Sequence, residues 1–199
     1  TTKGARVNLA KQKRDQVLNV ELRESEYVFN TTWGLFSPRG IDSGTYQLLE
    51  RIEINPGETC LDVGCGYGPI GIVMARLSET GKVTMVDKDF VAVEYARKNA
   101  AANGLTNVET MLSNGLHHLP EDARFDVIAA NLPSNTGKEL LDIITKEAHE
   151  RLVSGGRFYV VTITGLRDYM KKAFRETFGH YKKLNQGRNH AVAMTTRMR

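Results

Sequence analysis

At 199 residues, 41% of them hydrophobic, the chain fits one domain with a single sizeable core. No apolar run approaches the ~20 residues that span a bilayer, and the first residues are polar and basic, so a membrane-spanning protein is excluded and no signal peptide is read. The formal net charge is only +4, but residues 1–14 hold five cations and no acid, and nine cations face two acids from residue 165 onward. Basic ends around an acidic middle predict a polyanion touching the edges of the molecule; a solvated tail and a solvated helix face are the alternative.

Residues 1–15 show no period and read as a basic segment that stays mobile until a partner orders it. Residues 16–199 read as a single domain, with 16–45 an N-terminal hairpin and ligand-covering loop and 46–199 the core. Leu18, Val20 and Leu22 alternate with polar residues, and Tyr27-Val28-Phe29 follows the polar Arg23-Glu24-Ser25-Glu26, which predicts a β-hairpin. The stretch from Trp33 to Thr45 is rich in glycine and polar residues yet carries Trp33, Leu35 and Phe36. Such a loop usually covers a ligand, which makes Trp33 and Phe36 candidate substrate contacts; alternatively they pin the hairpin to the core. Leu48, Leu49 and Ile52 predict a short helix that stops before Asn55-Pro56-Gly57.

Next comes a buried strand, Thr59-Cys60-Leu61-Asp62-Val63, then glycines at 64, 66 and 68, then Pro69. Glycine reaches φ > 0 cheaply and lets a ligand approach the backbone, and proline is tolerated in the first helical turn. Ile70, Val73, Met74 and Leu77 continue with helical spacing. Strand, tight loop and helix together predict a small-molecule site. Lys82 to Val86 is a second strand ending at Asp87, and Phe90 to Ala102 is a helix stopped by Asn103-Gly104. Val108 to Met111 is a third strand, and Phe125 to Ala130 a fourth, apolar enough to be buried on both faces. Leu141, Ile144, Ala148 and Leu152 predict a helix closed by Gly155-Gly156, Phe158 to Ile163 a fifth strand, and Leu166 to Phe178 a last helix closed by Gly179. Two strands, around His180 to Leu184 and Ala191 to Thr195, complete the chain.

This alternation predicts an α/β, doubly wound, mostly parallel sheet with one antiparallel strand near its edge. Ligands of such sheets bind beyond the carboxyl ends of the strands where strand order reverses. With the third, second, first and fourth strands side by side, Asp62, Asp87 and Asn131, each ending a strand, are expected in one crevice. No metal site is read. Cys60 and Cys65 lie in the first strand and its loop, where a disulfide would distort both, so free thiols in a reducing cytoplasm are expected.

Gly66-Tyr67-Gly68-Pro69-Ile70-Gly71 satisfies the dinucleotide pattern, with Asp87 following 16 residues after Gly71, so a nicotinamide cofactor is one reading. It leaves Asp62 unexplained, because an acid just before the glycines repels a pyrophosphate and suits a cation. Read as acid-x-Gly-x-Gly-x-Gly, the segment resembles the first motif of class I S-adenosylmethionine methyltransferases. From about Val17 the chain resembles the rRNA guanine-N2 methyltransferases of small- and large-subunit type and their small single-domain relatives. The motifs that carry this are Gly34-Leu35-Phe36-Ser37, Ile41-Asp42-Ser43-Gly44, Asp62 through Gly71, Met85-Val86-Asp87, Ala96-Arg97-Lys98-Asn99-Ala100 and Gly137-Lys138-Glu139-Leu140.

The resemblance implies a Rossmann-like methyltransferase fold of seven strands plus the N-terminal hairpin, S-adenosylmethionine as cofactor with S-adenosylhomocysteine as product, and RNA, ribosomal in these relatives, as partner. Asp62, Gly64, Cys65 and Gly66 would hold the cofactor. Asp87 is placed to accept from both ribose hydroxyls, with Lys88 beside the adenine and Ser113 and Asn114 reading its edge. Asn131-Leu132-Pro133-Ser134 stands where class I enzymes acting on planar amines carry Asn/Asp-Pro-Pro-aromatic, so Asn131, Leu132 and Pro133 are the candidate catalytic residues and Asn131 also borders the cofactor. Leu132 keeps a carbonyl, extended by the following proline. Ser134, a candidate substrate contact, cannot stack on a ring. Methyl transfer to the exocyclic N2 of a guanine in rRNA is the expected reaction. A protein glutamine, a small molecule, or an RNA-binding protein with a vestigial cofactor site are the alternatives.

Overall fold

The computed structural model describes residues 15–132 and 137–198; the basic segment 1–14 and the motif residues Pro133 and Ser134 lie outside the described residues. Strands β1 (Gln16–Leu22) and β2 (Ser25–Thr31) form an antiparallel hairpin. Its two turn residues, Arg23 and Glu24, both take positive φ, 49° and 61°, the hand that matches the twist of the flanking strands.

The core is a seven-stranded sheet built from β3 (Cys60–Val63), β4 (Val83–Asp87), β5 (Val108–Leu112), β6 (Phe125–Asn131), β7 (Leu152–Ile163), β8 (Lys182–Gln186) and β9 (His190–Thr196). Their order is β5-β4-β3-β6-β7-β9-β8. The pairs from β5 across to β7 are parallel, and β9 runs antiparallel to both β7 and β8. Helices are α1 (Ser43–Leu49), α2 (Pro69–Ser78), α3 (Phe90–Ala102), α4 (Lys138–Arg151) and α5 (Arg167–Phe178). One face of the sheet buries Met85, Val127 and Tyr159 among Ile72, Met74 and Ala96 of α2 and α3. The other buries Leu61, Ile128 and Val160 against Leu141 and Ile144 of α4 and Met170 and Phe174 of α5. Strands covered on both sides need apolar residues at nearly every position, which is why β6 is apolar without a break from Val127 to Ala130.

Two local features tie this core to the site. Gly71 sits where α2 crosses β4, and a Cβ there would collide with the Met85 side chain, so glycine sets how closely helix and strand approach. The hairpin docks through side-chain amides: Asn99 accepts from the Asn30 N–H and donates to the Asn30 and Tyr67 carbonyls, and Asn103 does the same for both backbone groups of Val28.

Leu152 belongs to β7, not to the helix before it. The helix ends at Arg151, Leu152 pairs with Phe125, and the register then jumps so that Val127 pairs with Arg157. Gly155 and Gly156 do not close the helix; they shape the excursion between those pairs, with Gly155 at φ 82° and both glycines bonded to the Arg197 backbone. Ile52 likewise falls outside α1, and its buried side chain packs from the connecting segment.

Candidate functional site

A cavity of about 600 Å³ opens at the carboxyl ends of β3, β4, β5 and β6, the point where strand order reverses. Its floor is the loop after β3. Gly64 and Cys65 donate their N–H groups to the Val86 carbonyl at 2.8 and 2.9 Å, which turns the chain out of the sheet. Gly64 and Gly66 have φ of 71° and 55°, and a Cβ on either would meet no atom within 4 Å. Glycine is needed there for the dihedral, and the space a side chain would fill is left to a ligand. Burial pushes the Cys65 thiol well up and the Cys60 thiol up to about 12, so both are inert free thiols.

Asp87 closes β4 at the cavity. One carboxylate oxygen accepts from the Gly66 N–H at 2.9 Å and the other from the Asp89 N–H at 2.9 Å. Each oxygen keeps a second acceptor site, so the carboxylate can hold the loop and still take hydroxyl donors. Lys88, Ser113 and Asn114 line the same side, Lys88 and Asn114 exposed, Ser113 buried. The Ser113 hydroxyl is already committed, donating to the Gly115 carbonyl at 2.8 Å and accepting from the His118 N–H at 3.2 Å. These bonds shape the loop, and the oxygen keeps one further acceptor site.

Asp62 is not where the spacing alone would put it. Its side chain is fully buried beneath the loop and lines no part of the cavity, with one oxygen accepting from the Gly71 N–H at 2.8 Å. Its other oxygen has no hydrogen-bond partner among the described residues. Burial, with Asp87 nearby, raises its carboxyl to about 7. The alternation of side chains along β3 explains this: the position that turns Val63 towards one face of the sheet turns Asp62 towards α2 on the other. The acid fastens the helix to the strand.

The opposite wall comes from the Trp33–Thr45 loop and α1. Phe36 lines the cavity and is 56% exposed; Trp33, 58% exposed, does not line it. Tyr67 pins this loop, its hydroxyl donating to the carbonyls of Ser37 at 3.3 Å and Gly40 at 3.2 Å. Asn131, at the end of β6, lines the cavity next to the buried Leu132. Its amide nitrogen donates to Asp42 Oδ2 at 3.0 Å and Thr45 Oγ1 at 2.9 Å. Asp42 is also the N-cap of α1, its Oδ2 accepting from the Gly44 and Thr45 N–H groups at 2.9 and 3.1 Å. Sequence reading did not single out Asp42 and Thr45 as site residues. The signal was present in an acid ahead of a short helix, but nothing in local spacing shows that the cap also reaches a strand end far along the chain.

Among the described residues, three carboxylates, Asp42, Asp87 and Asp89, face the cavity against one ammonium, Lys88. That balance suits a ligand with cationic groups and hydroxyls and opposes a pyrophosphate. The residues present therefore fit S-adenosylmethionine better than a nicotinamide dinucleotide.

The family described as the methyltransferase small domain matches residues 26–194. The chain belongs to that family. An uncharacterized protein of Bacillus subtilis, YbxB, is 33% identical over 147 residues, covering 73% of each chain. Ribosomal RNA small subunit methyltransferase C of Hamiltonella defensa is 30% identical over 188 residues, 92% of this chain and 52% of its own. Among solved structures, the 16S rRNA N2 G1207 methyltransferase of T. Thermophilus in complex with AdoMet and guanosine has a TM-score of 0.84 at 26% identity, over 93% of this chain and 51% of that one. This chain thus spans about half the length of the methyltransferase C relatives it matches. The ribosomal protein L11 methylase of Lactobacillus delbrueckii subsp. bulgaricus, 23% identical with a TM-score of 0.66 over 79% of this chain and 80% of that one, shares the fold. No helix among the described residues is long and apolar enough to cross a membrane.

Proposed function

We propose that this methyltransferase transfers a methyl group from S-adenosylmethionine to a nitrogen, the exocyclic N2 of a guanine in ribosomal RNA. Bound cofactor supplies the electrophile, a methyl carbon on a sulfonium. The chain's own residues supply position. Gly64 and Gly66 give backbone access, Asp87 offers acceptors for ribose hydroxyls, and Lys88 and Asn114 border the adenine end. The observation that carries the amine assignment is the Asn131 amide. Both of its neighbours in the wall are acceptors for its N–H groups, and its oxygen has no partner among the described residues. An acceptor is therefore the group presented to a substrate, which suits an NH₂. Phe36, exposed at the same mouth, supplies an aromatic face for a planar base where Ser134 cannot. The guanine reading is further supported by the fold neighbour with bound guanosine, similar over nearly all of this chain.

An exocyclic amine is a poor nucleophile, since its lone pair is delocalised into the ring. An acceptor that holds one N–H aims the lone pair at the methyl and matters more in the transition state than in the ground state. Asn131→Ala is therefore expected to lower single-turnover methylation of deproteinised rRNA or assembled subunits by a factor on the order of 10², if the acceptor is worth ~3 kcal/mol. Affinity for S-adenosylhomocysteine should change far less. A variant that keeps more than a third of the wild-type rate would remove the support for amine methylation. The base must leave its stack to reach such a cavity, so flipped or single-stranded RNA is the expected form of the substrate.

A further inference from the structure

We infer that Asp42 and Thr45 form a polarity lock on Asn131: they hold its amide so that the oxygen, and never the nitrogen, faces the substrate, and thereby restrict the enzyme to nucleophiles that are hydrogen-bond donors. The inference rests on the proposed amine-methylating reaction and assigns specificity to two residues that do not themselves touch the reacting atoms.

An asparagine amide is nearly symmetric in shape, so a ring edge offering an acceptor could be met simply by turning the side chain over. Here Asp42 blocks the turn, and Thr45 accepts the second N–H in the orientation that Asp42 imposes. Asp42 Oδ2 lies 3.0 Å and Thr45 Oγ1 2.9 Å from the amide nitrogen. A carboxylate is an acceptor only, so turning the amide would set two oxygens against each other. Thr45 is buried and Asp42 and Asn131 are half-buried, which makes a mismatched pair of oxygens costly there. The carboxylate is itself immobile, because the same oxygen takes the Gly44 and Thr45 N–H groups at the head of α1. The site has no slack at Gly44 either, where a Cβ would sit 2.9 Å from Asp42 Oδ2 and 3.0 Å from the His190 ring. Side chain, cap and strand end thus form one unit, and the group it leaves for the substrate is an acceptor.

A positioning residue that acts through Asn131 must lose its effect when Asn131 is gone, and a merely structural one must not. The experiment is a double-mutant cycle on the intact chain, read by single-turnover methylation of rRNA. Thr45→Val keeps the branched shape and removes the acceptor. Asp42→Ser keeps a good helix cap on a shorter side chain that cannot reach Asn131. Each is expected to lower the rate about tenfold; Thr45→Val, which leaves the charge of the cavity as it is, should keep S-adenosylhomocysteine affinity within twofold of wild type, and Thr45→Ser should restore the rate. In an Asn131→Ala background, Thr45→Val should change the residual rate less than twofold. Equal losses in both backgrounds, or wild-type rates for both single variants, would overturn the lock. The same assay keeps the two readings apart: a wild type that transfers no methyl to a guanine amine ends the proposed reaction, whereas an active wild type with an additive cycle ends only the lock.

Discussion

Asp62 holds its proton into the neutral range because burial disfavours the charged carboxyl, and the nearby Asp87 adds to this. The folded group titrates at about 7, raised from 3.8. Between those values the folded chain binds the extra proton and the unfolded chain does not, so stability must fall as pH rises through that window. By linkage the fall attributable to this one carboxyl approaches roughly 4 kcal/mol above the folded pKa. Asp62→Asn keeps an oxygen for the Gly71 N–H and removes the titration. Urea unfolding at pH 5 and pH 8 should show wild type losing roughly 2–3 kcal/mol more than the variant across that interval. An equal change in both would mean that Asp62 is ionised in the folded protein throughout. The residue was visible in the sequence as the acid that opens the glycine motif, but its direction was not. Which face of β3 a side chain takes depends on where α2 lands, and only the contact between Gly71 and the strand decides that.

Among the elements, the hairpin is held by an arrangement that no pattern of apolar residues shows. A two-stranded ribbon is marginal alone, and an open strand edge leaves its polar backbone groups without partners. Here the outer groups of β2 are satisfied by Asn99 on α3 and by Asn103, the C-cap of that helix one turn further on. Asn99 is fully buried and also donates to the Tyr67 carbonyl in the glycine loop, so it ties the hairpin to the floor of the cavity. Asn99→Ala would leave the buried Tyr67 carbonyl and the half-buried backbone groups of Asn30 without these partners. At ~1–3 kcal/mol for each group left without a partner, it should destabilise the fold by roughly 2–4 kcal/mol, more than Asn103→Ala, whose position is partly exposed. Denaturant midpoints of the two variants test this; a smaller loss for Asn99 would mean the hairpin is held by its apolar face alone. The strand and helix periods were legible because the central strands β3, β4 and β6 are covered on both faces and each long helix on one. The boundary at Leu152 was not, since its apolar side chain satisfies the helix period of α4 and the pairing with Phe125 equally well, and long-range pairing won.

Across the whole molecule, the basic stretch from residue 165 onward is not one surface. The reversal of β9 separates its cations. Because β9 is antiparallel to β7, its first residue, His190, pairs with Ile163 at the end of the sheet where the cavity opens, and the turn before it carries the exposed Arg188. That turn is fixed in place, with Thr164 donating from its backbone N–H to Asn189 and from its hydroxyl to Gly187 and Arg188. Lys182 and Lys183 start the same edge strand at its far end, opposite Met194 and Ala193. Other cations are spent locally: Lys172 pairs with Glu176, and Arg197 bonds the carbonyls of Glu150 and Leu152. A single-stranded polyanion laid across the carboxyl ends of the strands would therefore meet Arg188 on one flank and the exposed Arg39 of the cavity-covering loop on another, but not the two lysines. Each phosphate neutralised contributes about 0.7 to the slope of log K against log salt for a single strand. Replacing Arg39 and Arg188 together by alanine should reduce that slope by about 1.4 in binding to an rRNA fragment, with S-adenosylhomocysteine affinity unchanged. Lys182→Ala with Lys183→Ala should leave the slope as it is. If the lysine pair lowers the slope and the arginine pair does not, the RNA crosses the sheet edge rather than the cavity mouth, and Arg188 only caps a turn.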